Sequence, residues 1–324
     1  MHEIAILDDY QNVALEFGDW EGLRSHARIT VFNDVLKDED ALVKRLERFD
    51  VLCVMRERTR LSRTLLGRLP KLRLIATTGP WNAAIDMQAA QDLGITVCGT
   101  GTSPTATPEL TWALIFAAMR RLDRELPGFR QGGWQVSVGT ELSGGTLGIL
   151  GLGRAGGGVA RMARAFGMRV IAWSQNLTPE RAAEQGVEYV SKESLFRDSD
   201  IVSIHVRLSD RTRDLVGARE LAWMRRSAWL INTARGPIVN EDALCDALQR
   251  GLIAGAAVDV HDPEPLPSDH RFRRLDNFIG TSHIGYVTRR SYGVYYGQSV
   301  ENIAAWIKGQ PIRILSMTQR EIDY

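Results

Sequence analysis

The chain has 324 residues, and its 40 Lys and Arg nearly balance its 39 Asp and Glu, for a formal net charge of +1. That length predicts about two domains at ~150 residues each, with a core that needs no disulfides. Nucleic-acid-binding proteins usually carry a basic excess or a basic stripe, whereas the basic clusters here are short pairs such as Arg120 with Arg121. We therefore expect no nucleic-acid partner.

The cysteines and the apolar segments indicate the compartment. Cys53, Cys98 and Cys245 are far apart and odd in number, and no C-x-x-C occurs, so neither a metal site nor a redox pair is predicted. The first residues lack the basic and then apolar pattern of a signal peptide. The longest strongly apolar segment, 110–119, is shorter than the ~20 residues that a membrane span needs. We expect a cytoplasmic protein with no membrane partner.

Short apolar runs, many of them followed by a helical pattern, recur along the chain. The first set comprises residues 4–7, 29–32, 51–55, 72–76 and 95–98. The second set comprises residues 147–150, 170–173, 187–190, 201–206, 228–231, 255–260 and 278–279. Continuous apolar runs are typical of strands buried on both faces of a parallel sheet, and their alternation with helices predicts right-handed crossovers. The sequence thus predicts an α/β protein with two doubly wound parallel sheets.

Two long predicted helices, 110–122 and 291–308, suggest how the chain passes between the two sheets. The first would carry the chain out to the second domain, and the last would return it. We therefore place one domain at 1–100 with 288–324 and the other at 101–287. The proline-rich residues 261–267 lie inside the second set and predict a rigid loop at the end of a strand.

Glycines follow the first strand of the second set in the pattern Gly151-x-Gly153-x-x-Gly156. The pattern lies between a predicted strand and a predicted helix, which is the context that a dinucleotide-binding turn requires. Gly151 would allow the tight turn, Gly153 would let a pyrophosphate approach the backbone, and Gly156 would allow close helix packing. The helix N-terminus favours the anion, and Arg154 could add a charged contact. The sequence therefore predicts a dinucleotide site.

The residue after the next strand bears on the choice of cofactor. An NAD-preferring domain usually carries a carboxylate there for the ribose 2′-hydroxyl, but this chain has Ser174. Serine does not repel a 2′-phosphate, and no arginine follows directly to bind one, with Arg181 as a distant candidate. The sequence leaves NAD and NADP open.

Hydride transfer between a hydroxyl-bearing carbon and a nicotinamide needs a base for the proton and a cation for the polarised oxygen. A histidine tuned by a carboxylate suits the first role. His205 lies inside a predicted strand, where a core histidine is at least as reasonable, and His261 precedes Asp-Pro as an ordinary loop histidine would. His283 follows a strand, where ligands bind in open α/β sheets, and has the best position of the three.

Four blocks of the sequence resemble the D-isomer-specific 2-hydroxyacid dehydrogenases, the group that includes phosphoglycerate, glyoxylate/hydroxypyruvate and formate dehydrogenases. The blocks are residues 146–156, 231–239, 257–260 with 263–265, and 281–285. Residues 74–79 and 108–110 also match, so the resemblance covers nearly the whole chain in order. It implies a flavodoxin-like substrate domain and a Rossmann cofactor domain.

The resemblance implies three catalytic residues. Arg235, in the Asn-Thr-Ala-Arg-Gly block, would hold the substrate carboxylate and polarise the C2 oxygen. His283 would be the acid and base. Glu264 would hydrogen-bond His283 and favour the imidazolium, which the reduction direction requires.

The resemblance also implies binding residues around the catalytic groups. Asp259 would meet the nicotinamide side, and the cofactor site would include Ala155, Thr233 and Gly285. Substrate-binding residues are placed at Arg56, Thr78 and Gly79, with backbone N–H groups near the last two binding the substrate carboxylate. Apart from the resemblance, Arg56 and Arg58 follow the apolar run 51–55 and could meet an anionic substrate tail, although solvated charge explains the pair as well. The family further implies a homodimer built on the cofactor domain.

The expected function is an NAD(P)-dependent oxidoreductase that interconverts a small D-2-hydroxyacid and its 2-oxoacid, with glyoxylate or hydroxypyruvate as the favoured acid. One alternative is a non-catalytic dinucleotide-sensing protein, which need not retain Arg235, Glu264 and His283 together. Another is a formate-type dehydrogenase with the same Arg–His core. Phosphoglycerate is less favoured because no phosphate site can be assigned and no regulatory domain is expected after the last helix.

Overall fold

The computed structural model describes residues 1–316 and divides into two compact units. One unit comprises Met1–Ser103 with residues 287–316, and the other comprises Pro104–Tyr286. Residues 317–324, which the sequence assigned to the first domain, lie outside the described residues. The functional assignment of 1–100 with 288–324 to substrate and of 101–287 to the cofactor stays a prediction.

Twelve strands lie within residues 1–316, and each overlaps one of the predicted apolar runs. They are β1 (His2–Ile6), β2 (Ala27–Val31), β3 (Val51–Val54), β4 (Leu74–Thr77), β5 (Thr96–Cys98), β6 (Thr146–Leu150), β7 (Arg169–Trp173), β8 (Glu188–Tyr189), β9 (Ile201–Ile204), β10 (Trp229–Asn232), β11 (Gly255–Val258) and β12 (Phe278–Gly280).

The same residues contain eleven α-helices. They are α1 (Glu39–Leu46), α2 (Arg63–Gly67), α3 (Met87–Asp92), α4 (Ala106–Met119), α5 (Leu122–Arg130), α6 (Arg154–Ala165), α7 (Pro179–Glu184), α8 (Lys192–Asp198), α9 (Ala218–Trp223), α10 (Glu241–Gln249) and α11 (Arg289–Ile307). The helix predicted over 110–122 begins earlier and ends at Met119, because Arg121 adopts the left-handed conformation with φ 51°. No helix of the described chain has the length and apolar character needed to span a membrane.

The described part of the first unit holds a five-stranded parallel sheet in the order β2-β1-β3-β4-β5. This is the flavodoxin-like order, in which the sense of strand addition along the sheet reverses between β1 and β3. Every residue of β3 and β4 is buried, as continuous apolar runs predict. Phe49, Leu52 and Ile75 are wholly buried in its core, and Tyr295 and Tyr296 of α11 are also buried.

The second unit holds a seven-stranded parallel sheet in the order β12-β11-β10-β9-β6-β7-β8, and all seven strands lie in described residues. The order in which the chain adds strands reverses between β6 and β9. In doubly wound sheets, ligands bind at such a reversal, beyond the carboxyl ends of the strands. One apolar cluster joins the sheet to α4 and α6 through Trp112 and Val159, and a second joins it to α8 and α10 through Phe196 and Leu248. The predicted α/β class with two parallel sheets is confirmed.

The three cysteines lie in the interior of the two units. Cys53, Cys98 and Cys245 are free thiols, and all three are buried. Burial raises the pKa of Cys53 to about 12 and that of Cys98 to about 11. Since the thiolate is the reactive form of cysteine, both side chains are inert at neutral pH.

Candidate active site

The glycine turn follows β6, at the point where the seven-stranded sheet reverses direction. Gly151 has φ +102°, and a Cβ there would lie 2.7 Å from the Val206 nitrogen at the end of β9. A Cβ on Gly156 would collide with the Gly151 carbonyl oxygen. A Cβ on Gly153 would meet nothing within 4 Å. The turn is therefore crowded at its first and third glycines and open at the second.

The helix that leaves this turn has room for an anion at its N-terminus. Gly153 is the N-cap of α6 and supplies no side-chain hydrogen bond to the first N–H groups. Those groups carry the positive end of the helix dipole. Arg154 is exposed at the first helical position, and Ala155 follows it half-buried. The open space at Gly153 and the uncapped helix fit the pyrophosphate of a dinucleotide.

Gly157 and Gly158 lie beyond the three glycines that the turn requires, and packing explains them. A Cβ on Gly157 would collide with Oε1 of Gln185. A Cβ on Gly158 would lie 3.0 Å from Cγ of Pro108, in α4. Glycine at these positions thus lets α6 approach its neighbours closely, which offsets the ~1 kcal/mol that each costs in a helix. A single-sequence pattern gives no sign of this contact.

Ser174 lies directly after β7, beside the glycine turn. The Gly151 N–H donates to the Trp173 carbonyl oxygen at 3.0 Å, which ties the turn to the end of β7. Ser174 is half-buried, and its carbonyl accepts the Leu177 N–H at 3.1 Å. Arg181 lies farther on, in α7. Ser174 thus lies next to the residue that binds the glycine turn, and its contact with a cofactor ribose stays a prediction.

The loop after β10 carries Arg235. Asn232 holds its shape, because its Oδ1 accepts the Ala234 N–H and its Nδ2 donates to the Arg235 carbonyl, each at 3.0 Å. The Arg235 guanidinium donates to the Ala234 carbonyl at 2.8 Å. The buried Thr233 hydroxyl lies 2.8 Å from that of Thr111 in α4. Asn232 was not among the predicted site residues, although an amide three residues before Arg235 was the available signal.

His283 lies in the loop after β12, and Glu264 contacts it from the loop after β11. Oε2 of Glu264 lies 2.6 Å from Nδ1 of His283. Oε1 of the same carboxylate accepts the His261 N–H at 2.8 Å. His283 has φ +55°, a left-handed conformation that few non-glycine residues adopt. The predicted hydrogen bond between Glu264 and His283 is present, whereas their catalytic roles stay predictions.

The carboxylate of Asp259 holds the His283 loop from within the protein. Asp259 is 1% exposed. Its Oδ1 accepts from the Thr281 hydroxyl at 2.6 Å and from the Ile284 N–H at 2.8 Å, and its Oδ2 accepts the Gly285 N–H at 2.9 Å. The sequence assigned Asp259 to the nicotinamide side. The structure shows that both of its oxygens bind the loop that presents His283.

The electrostatics of Glu264 favour its charged form. Partial burial raises its pKa, but the hydrogen bond and charge of His283 and the His261 N–H outweigh burial. The pKa of Glu264 is therefore lowered from its ordinary value of 4.5. The carboxylate that accepts from His283 is ionised at neutral pH.

His205 occupies a different environment from His283. It follows β9, and its Nε2 lies 2.8 Å from the hydroxyl of the buried Ser203. Burial lowers the pKa of His205 to about 4, so it is neutral at physiological pH. This supports the interpretation of His205 as a satisfied core histidine.

The substrate residues expected in the other unit form one loop, but their N–H groups are already engaged. The Thr78 N–H donates to the Val54 carbonyl at 3.1 Å, and the Gly79 N–H donates to the Thr100 hydroxyl at 2.7 Å. These two N–H groups are thus already engaged, and the expectation that backbone N–H groups near Thr78 and Gly79 bind a substrate carboxylate stays a prediction. Arg56 contacts the same loop, with its Nη1 3.4 Å from the Thr78 carbonyl oxygen.

Sequence comparisons with known proteins show which family the chain resembles. The sequence profile of the D-isomer specific 2-hydroxyacid dehydrogenase, NAD binding domain, matches residues 112–285. The glyoxylate reductase of Aeropyrum pernix is 42% identical over 256 residues, which cover 76% of each chain. The hydroxypyruvate reductase of Thermotoga maritima is 36% identical over 257 residues, which cover 78% of this chain and 82% of the relative.

Solved structures show the same relationship. The crystal structure of a phosphoglycerate oxidoreductase from Vibrio cholerae O395 has a TM-score of 0.91 and 37% sequence identity to this chain. The alignment covers 95% of this chain and 100% of that one. The oxidoreductase class and the NAD(P) cofactor expected from the sequence are thereby confirmed. The chain belongs to the family of D-isomer specific 2-hydroxyacid dehydrogenases.

Proposed function

We propose that the protein reduces a small 2-oxoacid, with glyoxylate or hydroxypyruvate as the favoured substrate, to the D-2-hydroxyacid. The observation that carries the proposal is the 2.6 Å contact between Glu264 Oε2 and His283 Nδ1. A histidine held by an ionised carboxylate at a strand end is suited to proton transfer near neutral pH. Relatives named for glyoxylate and hydroxypyruvate support this substrate class.

The proton chemistry follows from which nitrogen of His283 is engaged. Glu264 occupies Nδ1, so Nδ1 keeps its hydrogen and Nε2 is the nitrogen that exchanges a proton. In reduction, the imidazolium gives its Nε2 proton to the C2 oxygen of the oxoacid. In oxidation, neutral Nε2 takes the proton of the hydroxyl. The ionised Glu264 stabilises the imidazolium in both directions.

Arg235 supplies the positive charge that the substrate needs. Its guanidinium would bind the substrate carboxylate through two parallel hydrogen bonds and polarise the C2 oxygen. The bonds from Asn232 to Ala234 and Arg235 fix the backbone that presents this side chain. A bound nicotinamide supplies the hydride to C2. The residues proposed to hold the dinucleotide are Gly151, Gly153, Arg154, Ala155, Gly156, Ser174, Thr233, Asp259 and Gly285.

We propose that both NADH and NADPH serve as coenzyme. Ser174 brings no negative charge to repel a 2′-phosphate, and Arg181, the distant candidate to bind one, lies in α7. Neither coenzyme therefore receives a strong electrostatic advantage at this position. We expect specificity constants for NADH and NADPH within about tenfold of each other, since a single neutral hydrogen bond gives roughly that ratio.

In the unit with the five-stranded sheet, we propose that Thr78, Gly79 and Arg56 shape the substrate loop. The Arg56 guanidinium lies where a Cβ on Gly79 would be, so the loop and the arginine fit together closely. The Arg56 N–H also donates to the Thr78 hydroxyl at 2.9 Å. These contacts support a role in loop shape rather than a direct grip by the Thr78 and Gly79 N–H groups.

Coenzyme oxidation with a panel of acids tests the proposal. NADH and NADPH are each assayed with glyoxylate, hydroxypyruvate, pyruvate and 3-phosphohydroxypyruvate, and NAD is assayed with formate. The wild type should turn over at least one small oxoacid, and His283→Asn should lose about 10²–10⁴-fold in kcat. His270→Asn is the matched control, because the His270 ring bonds Glu241 in α10.

Three results of this assay would contradict the proposed function. They are no turnover of any oxoacid by the wild type, undiminished turnover by His283→Asn, and oxidation of formate alone. Tight coenzyme binding without turnover would favour a dinucleotide sensor instead. A strong preference for 3-phosphohydroxypyruvate would keep the chemistry and change the substrate.

We further propose a homodimer built on the cofactor-binding unit. An apolar surface, made by α5 and the loop after it, supports this proposal. Its large exposed side chains include Leu126, Phe129, Trp134, Val136 and Val138, of which Trp134 is 78% and Val138 is 94% exposed. Clustered apolar exposure of this kind marks association surfaces, and a second copy of the chain is the occupant that we propose.

We also propose a cytoplasmic location. Free thiols at Cys53, Cys98 and Cys245 suit a reducing compartment, and so does a coenzyme of central metabolism. Fractionation of the native host with an antibody to the chain tests this, and recovery in the membrane or secreted fraction would contradict it.

A further inference from the structure

His261 lies beside the His283 loop because their strands are neighbours. Strands β11 and β12 pair in parallel with Val258 opposite Gly280, so the residues after each strand share one edge of the sheet. His261 is half-buried, and its ring lies 6.4 Å from that of Phe278, centroid to centroid. Its Nε2 lies 2.8 Å from the Thr281 carbonyl oxygen.

His261, Glu264, His283 and Thr281 form a closed ring of contacts. The backbone N–H of His261 donates to Glu264 Oε1, and Glu264 Oε2 accepts from His283 Nδ1. The chain runs from His283 back through one residue to Thr281, whose carbonyl accepts from the His261 side chain. His261 therefore holds the carboxylate with its backbone and the histidine loop with its ring.

The bond to Thr281 decides the form of the His261 ring. A carbonyl oxygen only accepts, so the hydrogen must be on Nε2. Nδ1 of His261 is buried and has no hydrogen-bond partner among the described residues. The ring thus makes one polar contact, and a substitution that removes its N–H removes that contact alone.

We propose that His261 is a positioning residue for His283, acting through the hydrogen bond from its Nε2–H to the Thr281 carbonyl. The proposal rests on the proposed function in one respect, namely that His283 carries the proton. A left-handed residue such as His283 keeps its backbone only when its surroundings fix it. Asp259 fixes the N–H groups of this loop, and His261 fixes the carbonyl that precedes His283 by two residues.

Two variants separate the hydrogen bond from the ring. His261→Phe keeps the aromatic packing on Phe278 and removes the N–H, whereas His261→Gln can place an amide N–H close to the position of Nε2. We expect His261→Phe to lower kcat about three- to tenfold with KM changed less than twofold, the effect of one lost hydrogen bond. His261→Gln should restore most of that loss. His270→Phe, which also removes a half-buried histidine N–H, should leave kcat unchanged.

Nuclear magnetic resonance of the ring nitrogens gives a readout that does not depend on turnover. In the wild type, His261 should carry its hydrogen on Nε2, and the Nδ1–H of His283 should exchange slowly with water. His261→Phe should speed that exchange, and His261→Gln should restore it. A hydrogen on His261 Nδ1 in the wild type would overturn the proposal. Two further results would overturn it. One is wild-type kcat and wild-type Nδ1–H exchange in His261→Phe, and the other is a kcat of His261→Gln as low as that of His261→Phe.

The two proposals fail in different ways. If the wild type reduces no oxoacid, the proposed function is wrong, and the exchange of the His283 Nδ1–H still decides the positioning role. If His261→Phe does not fold, the wild-type ring form and the kcat and exchange of His261→Gln decide it. The proposal is supported if the wild type carries the His261 hydrogen on Nε2 and if His261→Gln folds and exchanges its His283 Nδ1–H at the wild-type rate.

Discussion

Glu264 Oε2 lies 2.6 Å from His283 Nδ1, while the other oxygen of the same carboxylate accepts the His261 N–H at 2.8 Å. An amide at this position has one accepting oxygen, so Glu264→Gln must set its NH₂ group against one of these two donors. We expect kcat/KM for the oxoacid to fall about 10- to 100-fold, the effect of losing a hydrogen bond to a charged group. Steady-state kinetics at pH 7 measure it.

Glu241→Gln is the matched control, because Glu241 contacts His270 Nε2 at 3.1 Å in the same unit. It should leave kcat/KM unchanged. Because the pKa of Glu264 is lowered from 4.5, its carboxylate stays ionised above that pH and protonates only as the pH falls below it. A Glu264→Gln enzyme with wild-type kcat/KM at pH 7 would remove Glu264 from the mechanism.

The glycine turn offers two alanine substitutions with different outcomes. Gly153→Ala adds a Cβ that meets nothing within 4 Å, so Tm should stay within a degree or two while the Kd for NADH rises about tenfold or more. Gly156→Ala puts its Cβ into the Gly151 carbonyl and should destabilise the fold by about 1–3 kcal/mol. Thermal unfolding and fluorescence titration with NADH measure both. An unchanged Kd in Gly153→Ala would show that no pyrophosphate binds there.

Ser174 decides the balance between the two coenzymes in our proposal. Ser174→Asp adds a carboxylate that can bind the 2′-hydroxyl of NADH and repels the 2′-phosphate of NADPH. The ratio of kcat/KM for NADH to that for NADPH should rise at least about tenfold. Asn176→Asp adds the same charge at an exposed site two residues farther along and should change the ratio little. If Ser174→Asp and Asn176→Asp gave the same ratio of kcat/KM for NADH to that for NADPH, Ser174 would not lie at the coenzyme ribose.

The apolar surface on α5 and the following loop predicts a dimer that charge can break. Trp134→Glu combined with Val138→Glu introduces two carboxylates where 78% and 94% of the side chains are exposed. Sedimentation velocity should show the wild type as a dimer and the variant as a folded monomer. Leu93→Glu changes an apolar side chain that is 45% exposed in the other unit and should remain a dimer. A monomeric wild type would refute the proposed assembly.

Asp8 gives a prediction for the pH dependence of stability. The side chain is 2% exposed, and burial raises the pKa of Asp8 above its ordinary 3.8 against the opposing effects of Thr59 and Arg58. Folding therefore carries the cost of a buried charge above the raised pKa, and that cost is relieved as the pH falls through it. Asp8→Asn should raise Tm by about 2–4 °C at pH 8, with the gain shrinking toward pH 4.

Asp34→Asn is the control for Asp8→Asn. The hydrogen bond from Arg45 lowers the pKa of the exposed Asp34, so removing that carboxylate should not raise Tm at pH 8. A constant Tm difference between the wild type and Asp8→Asn from pH 8 to pH 4 would contradict the predicted titration.

The strands were predictable from the sequence because buried parallel strands are continuous apolar runs. Thus β3 and β4 coincide with runs that begin within two residues of the observed strands. The C-terminus of α4 was not predictable, since an apolar pattern does not show that Arg121 turns left-handed. The sheet order also needed the structure, because no local pattern says that β9 lies beside β6.

The parts of the candidate site in which a local motif fixes the backbone were predictable from the sequence. The parts that depend on a hydrogen-bond partner distant in the sequence were not. Gly151 and Gly156 could be placed because their close contacts are local. The engagement of the Gly79 N–H by Thr100 could not be foreseen, since the two residues are brought together by neighbouring strands. His261 looked like an ordinary loop histidine for the same reason, as its partner Thr281 is 20 residues away.

The positive φ at His283 decides which inactive variant is useful for trapping a complex. Alanine or glutamine at this position removes the proton carrier. Because those residues rarely adopt a positive φ, they also let the backbone of the loop change its conformation. Asparagine is several-fold enriched in that conformation among non-glycine residues. His283→Asn should therefore preserve the loop that Asp259 holds while abolishing turnover. That variant is the one to crystallise with coenzyme and oxoacid together.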